Sequence, residues 1–536
     1  MRTRFRQDKR RLLTKVSGSK FDNKILILAF ALPMLVYGLT LAPGLTWAHH
    51  GADGGDLVTA AYTLGVPHPP GYPTYTLLAW FSTHLPLGSV AWRVNLLSAL
   101  ATALAAVFIC RAVVRLTDDE PGAPAIIAGL GAAWSYAFAP LVWSQSLIAE
   151  VYALAGLWTA LILERGLVPL GCTDRSLPPP WGGLRGGKGI AFALGLLWSL
   201  GLGIHLTLIF LAPLIAWITI RRPSRKAVLR PAKRSLVPQS GPLCLGFLTG
   251  SLVWLYLPLR AGRGGVTWGQ PATLQGLWWL VSGALYRGYV FSGSLGGRLA
   301  SWAQTWEGGL GLMGVGLALW GMTRLAGQRR GWLAASGLSF VAQNLYALGY
   351  GTTDSVVYLV PAFVIGSVWL GVGLADLFQR MRVWGFASKG SVLRLDSKGR
   401  WLTPVMLIMA LATPAWMLAR NAAALDLSDD HRVEDFCRAV MSESPPGAIL
   451  LTSTDRQTFA MWYCQQVEGL RPDVAVVDEG LTAFDWYRAG LQQTHPDLWI
   501  DRAHDRAPFI LTGERPHCRV RREAQAGWLD CQDSID

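Results

Sequence analysis

From residue 25 to about residue 420, long apolar runs alternate with short polar connections that are often basic. A helix that crosses a membrane needs roughly 20 mostly apolar residues. Runs near 25–42, 90–110, 123–141, 148–163, 189–203, 206–220, 243–259, 307–323, 332–349, 356–375 and 402–419 predict about eleven spans. The stretch between Lys188 and Arg221 is short for two of them, and reads as a tight hairpin or as one long tilted helix. The pattern predicts a mainly α, polytopic transmembrane bundle over 25–420 behind a basic segment, 1–24. The first apolar run is too long for a signal-peptide core and lacks a small-residue cleavage site, so it is expected to stay as the first span.

Beyond residue 421 the pattern changes. Ala448–Ser453, Val474–Val477 and Pro508–Thr512 are short β-branched-rich runs, with helical patterns near 432–442 and 456–467. That order predicts a small α/β domain over 421–536. It holds Cys437, Cys464, Cys518 and Cys531, expected to form at least one disulfide, with Cys518–Cys531 the favoured pair.

Charge gives this layout a direction. The segment from Asn421 onward is net −9, from 11 arginines and 20 acidic residues, while the whole chain is +14. The basic excess therefore sits in the bundle's short connections. Arg111 and Arg115, the cluster from Arg221 to Arg234, Arg324 with Arg329 and Arg330, and the run from Arg380 to Arg400 all fall on the side of the N-terminus. The positive-inside rule makes that side cytoplasmic, and an odd span number puts the tail outside. The expected location is multi-pass in the cell (plasma) membrane. Only 15% of residues are charged and 51% are hydrophobic, against about 25% charged in soluble chains. Basic residues scattered among spans are a topology signal and exclude a nucleic-acid partner.

Two long segments then face outward, 43–89 and 260–305. The first carries His49-His50-Gly51-Ala52-Asp53-Gly54-Gly55-Asp56, and then His68-Pro69-Pro70-Gly71-Tyr72-Pro73. Two carboxylates three apart flank glycines that allow tight turning and close approach, and prolines stiffen the chain a dozen residues on. An ordered loop of this kind at a membrane surface points to function. The second segment is rich in aromatics, including Trp268, Trp279 and Tyr286, suited to an interfacial belt or a lipid-facing groove.

The run Ala52-Asp53-Gly54-Gly55-Asp56-Leu57, the His68–Pro73 block and Trp92-Arg93-Val94-Asn95 together resemble a family of membrane proteins with the pattern D-x-G-E/D, H-P-P-G-Y-P, W-R-x-N. One animal branch of that family is a protein O-mannosyltransferase, and the family resembles the GT-C polyprenyl-phosphate-sugar glycosyltransferases. Ala149-Glu150-Val151-Tyr152, Tyr256-Leu257-Pro258-Leu259-Arg260 and Trp268-Gly269-Gln270-Pro271 agree, as do Thr454-Asp455 and Arg471-Pro472-Asp473 in the tail. Asp56 stands where Glu is commoner, and Gln270 replaces an acid, which removes any charge-dependent role there.

The resemblance implies transfer of a sugar, mannose among the options, from a polyprenyl-phosphate donor to a hydroxyl of a protein or glycan acceptor at the outer face. Asp53 is the candidate base for the acceptor proton. Asp56 is expected to orient it, bind the acceptor or bind a divalent metal such as Mg or Mn; His49 and His50 would complete such a site. Arg260, Arg263, Arg93 and Arg287 are candidates for the donor phosphate, with Asp53 and one arginine about 6–12 Å apart. His68 and Glu150 are further substrate-binding candidates. His205, Asp354 and Tyr358 sit beside outer helix ends, where lone polar residues are more often structural. The rivals are a transporter and a non-catalytic assembly protein. Neither explains acids gathered in a surface loop, and no repeated halves are visible.

Overall fold

The computed structural model describes residues 23–117, 122–167, 187–220, 240–263, 265–292, 294–387, 402–501, 510–512, 515–521 and 527–532. Most of the basic N-terminal segment and of the basic connections at 221–234 and 389–400 lies outside these.

Helix occupies each of the eleven apolar stretches. Among the described residues, six helices are long and apolar enough to cross a membrane: Asn23–Thr40, Val90–Thr117, Ser240–Arg260, Leu295–Gln328, Ser355–Arg382 and Leu402–Leu425. They become seven if Ala123–Ala137 and Pro140–Ser146, bent by 67°, form one broken span. The break has a local cause. Pro140 cannot donate to the preceding turn and restarts the helix at its first position. Lys188–Leu202 and Leu206–Ile220 are two shorter apolar helices, interrupted between Leu202 and Leu206. The chain is a multi-pass membrane protein; the count of eleven spans remains an expectation.

At one end of the bundle, Glu164 is fully buried and takes Arg111 at 2.8 Å, with Arg115 and Arg165 each at 3.2 Å. A buried charge at a helix end is stable only when paired. Arg111 and Arg115 are among the arginines that the charge pattern places on the side of the N-terminus.

The C-terminal domain is α/β, as its pattern predicts. β1 (Ile449–Thr452) is the central strand, parallel to β2 (Ala475–Asp478), and helix Asp455–Gln466 makes the crossover. β3 (Trp499–Asp501) and β4 (Ile510–Thr512) form a separate pair. β5 (His517–Val520) lies parallel to β1 on its other side, and β6 (Leu529–Gln532) runs antiparallel to β5. Cys518 and Cys531 are directly opposed in that last register and are bonded. Cys437 and Cys464 join the two buried helices and are bonded as well. The Cys437–Cys464 bond closes a 27-residue loop. Replacing both by Ser is expected to cost about 2–4 kcal/mol, chiefly by freeing the unfolded chain. A melting temperature equal to that of the parent would contradict this.

The domain is seated on the loop that carries Asp53. Leu427 N donates to Thr40 O at 3.1 Å, and Trp47 Nε1 donates to Arg456 O at 3.2 Å. The Arg456 guanidinium covers the Trp47 ring at 4.6 Å. At Gly55 the backbone of Phe459 lies where a Cβ would have to be, so any larger residue would push the domain away.

Candidate active site

Asp53 immediately precedes helix Gly54–Thr63, yet its side chain caps no backbone N–H. Asp53 is therefore not held as a helix cap. The side chain stays 39% accessible, and its ionic partner is His68, with Nε2 at 3.7 Å. Asp56, one turn on, is the opposite case: none of its side chain is accessible. Its Oδ2 accepts the His68 backbone N–H at 2.9 Å and Nδ1 at 2.7 Å, and its Oδ1 accepts Trp268 Nε1 at 3.0 Å. Three N–H donors converge on one buried carboxylate, which satisfies it and fixes the imidazole ring. Asp56 thus positions His68 and does not reach a substrate.

His68 is 5% accessible and enclosed by rings. Tyr72, Trp268 and Tyr286 meet it edge-on at 5.1, 6.2 and 6.4 Å, and Phe459 stacks on it at 6.3 Å. The Pro-Pro-Gly-Tyr turn delivers it. Gly71 adopts φ +89°, and a Cβ there would meet Leu257 and Leu280, so the turn is pressed against the end of helix Ser240–Arg260 and against the outward segment that follows it.

The electrostatics follow from this packing. Burial alone would lower the His68 pKa, but Asp53, the Asp56 hydrogen bond and the Asp56 charge outweigh it and push it to about 9. The ring is therefore an imidazolium at neutral pH. Enclosure raises Asp53 above the usual carboxylate range; His68 opposes this, while Asp56 and Asp354 add to it. The result is an accessible carboxylate with raised basicity, beside a fixed cation and backed by a buried acid.

Two of the four candidate arginines are engaged with backbone carbonyls. Arg260 spends its guanidinium on Leu64 O at 2.7 Å and on Thr63 O and Arg263 O at 3.2 Å. Arg93 likewise clasps Leu87 O, Thr83 O and Gly88 O. Both close loops by collecting orphan carbonyls. Arg263 and Arg287 are exposed, Arg287 bonded to Ser282 Oγ at 2.7 Å. Among the described residues no arginine is ion-paired with Asp53, and His68 supplies the cation. Glu150 is 3% exposed and lies within electrostatic range of Asp53.

The metal expectation is not supported by the donor set. Among the described residues no three His, Cys, Asp or Glu side chains are gathered to hold an ion. Both oxygens of Asp56 are already used, and the charged groups acting on His49 are His50, Asp430 and Arg432, not the acids of the site.

The C-terminal domain contributes a residue whose role the sequence did not disclose. Asp455 begins the helix that carries Phe459. Burial, then Asp53 and Asp478, hold its carboxyl up at about 6, against His68. Its only sequence signal is the Thr454-Asp455 pair; nothing local ties it to Asp53.

A helical membrane bundle capped by an α/β domain is a GT-C-like fold. In fold the chain is similar to ArnT from Cupriavidus metallidurans bound to undecaprenyl phosphate, with a TM-score of 0.52 and 11% identity over 86% of this chain and 91% of that one. By sequence it is similar to the TMEM260 proteins. Residues 53–228 match the model of the protein O-mannosyl-transferase TMEM260 N-terminal domain, and residues 433–497 that of TMEM260-associated domain 2. Protein O-mannosyl-transferase TMEM260 of Mus musculus is 30% identical over 86% of this chain, and that of Dictyostelium discoideum is 22% identical over 86%. The chain spans 63% and 58% of the length of these two relatives.

Proposed function

We propose that the protein is a membrane glycosyltransferase that moves a hexose, mannose by analogy with the named relatives, from a polyprenyl-phosphate donor to an acceptor hydroxyl. The observation that carries the reading is Asp53: an accessible acid with raised basicity, held beside a cation whose geometry a buried acid fixes.

The acceptor oxygen attacks the anomeric carbon as its bond to the phosphate oxygen breaks. The acceptor proton passes to Asp53, and polyprenyl phosphate leaves with the bonding pair. His68 keeps Asp53 poised and offsets negative charge as it develops. Asp56 and Trp268 hold His68 in register. The donor's phosphate lies toward Arg287, which is exposed and next to Tyr286. The acceptor enters beside Asp455, at the seam with the C-terminal domain, and a protein hydroxyl suits that open seam. No step is routed through a metal.

In this reading the site and the C-terminal domain face away from the cytoplasm, because the basic connections lie on the other side. A periplasm- or lumen-active reporter fused at Asp426 is expected to be active and one at Gly122 silent; the reverse pattern removes the assigned orientation. Donor chemistry gives the functional test. Transfer should occur from polyprenyl-phosphate-mannose and not from a nucleotide-linked mannose, and a preference for the nucleotide donor would overturn the proposal.

A further inference from the structure

A second cluster adjoins Asp53 and takes no part in the proton transfer above. Its rings come from four separate parts of the chain. His205 is the hub, 5.5 Å from both Tyr152 and Tyr358 and 6.1 Å from Tyr72. Tyr358 also meets Tyr152 at 5.8 Å and Tyr350 at 5.2 Å. The arrangement is held by the backbone: Thr74 N and Tyr75 N both donate to Gly203 O, at 2.9 and 3.4 Å, which ties the Tyr72 turn to the turn bearing His205.

The polar atoms of this cluster are left open. His205 is 7% exposed and uses only Nδ1, which accepts the Thr207 N–H at 3.2 Å and faces the Thr207 hydroxyl at 2.7 Å. An accepting Nδ1 puts the ring proton on Nε2, and among the described residues nothing accepts it. The hydroxyls of Tyr72 and Tyr152 also make no hydrogen bond among them. Among the described residues Glu150, 3% exposed, takes only the Val151 N–H, at 3.4 Å, and no cation. The charged groups that bear most on these tyrosines are carboxylates: Asp53, Glu150 and Asp354. Buried polar groups are almost always partnered. Several unpartnered donors and an acceptor, set among aromatic faces, are what a core avoids and a ligand site requires.

The ligand that fits must offer donors and acceptors at close spacing and an apolar C–H face for the rings. It must also lack negative charge, because the carboxylates of Asp53, Glu150 and Asp354 outnumber the one neighbouring cation, His68. A sugar ring meets all three conditions; a phosphate or a uronic acid does not. We propose that Tyr72, Tyr152, His205 and Tyr358, with Glu150, form the subsite for the donor's sugar ring, and that this subsite selects an uncharged hexose. The inference rests on the glycosyl-transfer reading and places the hexose beside Asp53.

The test compares His205→Phe and Tyr152→Phe with the parent chain. Tyr152→Phe keeps the ring and deletes one hydrogen-bond donor; His205→Phe keeps an aromatic ring and deletes the Nε2 donor together with the Nδ1 acceptor that Thr207 uses. With polyprenyl-phosphate-mannose, the donor KM is expected to rise about tenfold in each, the weight of one buried hydrogen bond, with a much smaller change in kcat and acceptor KM. Donor KM values unchanged in both variants would overturn the subsite, as would equal use of a polyprenyl-phosphate uronic acid. Equilibrium binding keeps the test independent of turnover. The parent should bind polyprenyl-phosphate-mannose more tightly than polyprenyl phosphate alone, and His205→Phe should erase the difference. A parent that binds the two lipids equally overturns the subsite. A parent that shows the difference but never transfers retains the subsite and overturns the functional reading instead.

Discussion

Asn in place of Asp53 is expected to lower transfer by about 10²–10⁴-fold, the usual worth of a positioned general base. The substitution keeps shape and one acceptor oxygen, and Asp53 caps no helix N–H, so the variant should still fold. Asp53 is the ionic partner of buried His68, so a loss of about 1–3 kcal/mol is expected with it. The pH profile gives a second readout. Enclosure raises the Asp53 carboxyl above the ordinary range, and the base works only when unprotonated. Activity of the parent should therefore fall as pH drops through that raised value. The residual activity of the variant should lack that acidic limb. A variant with parental rate and the same limb would assign the base elsewhere.

Ala in place of His68 should damage the fold as well as the chemistry. It leaves the Asp56 carboxylate, with no accessible surface, without its imidazolium. Removing one partner of a buried pair costs about 3–5 kcal/mol. The expected outcome is a large drop in melting temperature and loss of transfer. The parent's pH dependence follows from the same pair. In the folded state His68 holds its proton up to about 9, against an ordinary value of 6.5, so the folded chain binds more protons between those values. This stabilisation is fully present below about 6.5 and is lost as pH rises through about 9. By linkage it amounts to something on the order of 3 kcal/mol. Thermal melts from pH 6.5 to 9.5 should show that decline in the parent and not in the variant. A flat parental curve would mean that His68 is not held as a cation.

What was legible in the sequence was local. The alternation of strand and helix in the tail, the opposed Cys518 and Cys531, and the acid–glycine loop with its Pro-Pro-Gly turn each lie within a few dozen residues. Sequence spacing constrains such features. Long-range partners were not legible. Trp268 reaches Asp56 from 212 residues away, and Asp455 and Phe459 arrive from a different domain. The arginines show why residue type alone misleads. Arg93 and Arg260 stand at helix ends, where a guanidinium serves a phosphate or a set of orphan carbonyls equally well, and only the fold decides for carbonyls. His205 and Tyr358 looked like isolated end-of-helix residues because their partnership crosses 153 positions. The span count stays open for a related reason: apolar length defines six helices clearly and leaves the shorter ones ambiguous.

The most direct test of the account is a transfer assay on the purified full chain in lipid, with labelled polyprenyl-phosphate-mannose and a hydroxyl-bearing peptide, run beside Asp53→Asn. Label is predicted to appear on the peptide, or slowly in water as free mannose when the peptide is withheld, and the variant should produce neither. A parent that leaves the donor intact, or a variant that consumes it at the parental rate, would contradict the account.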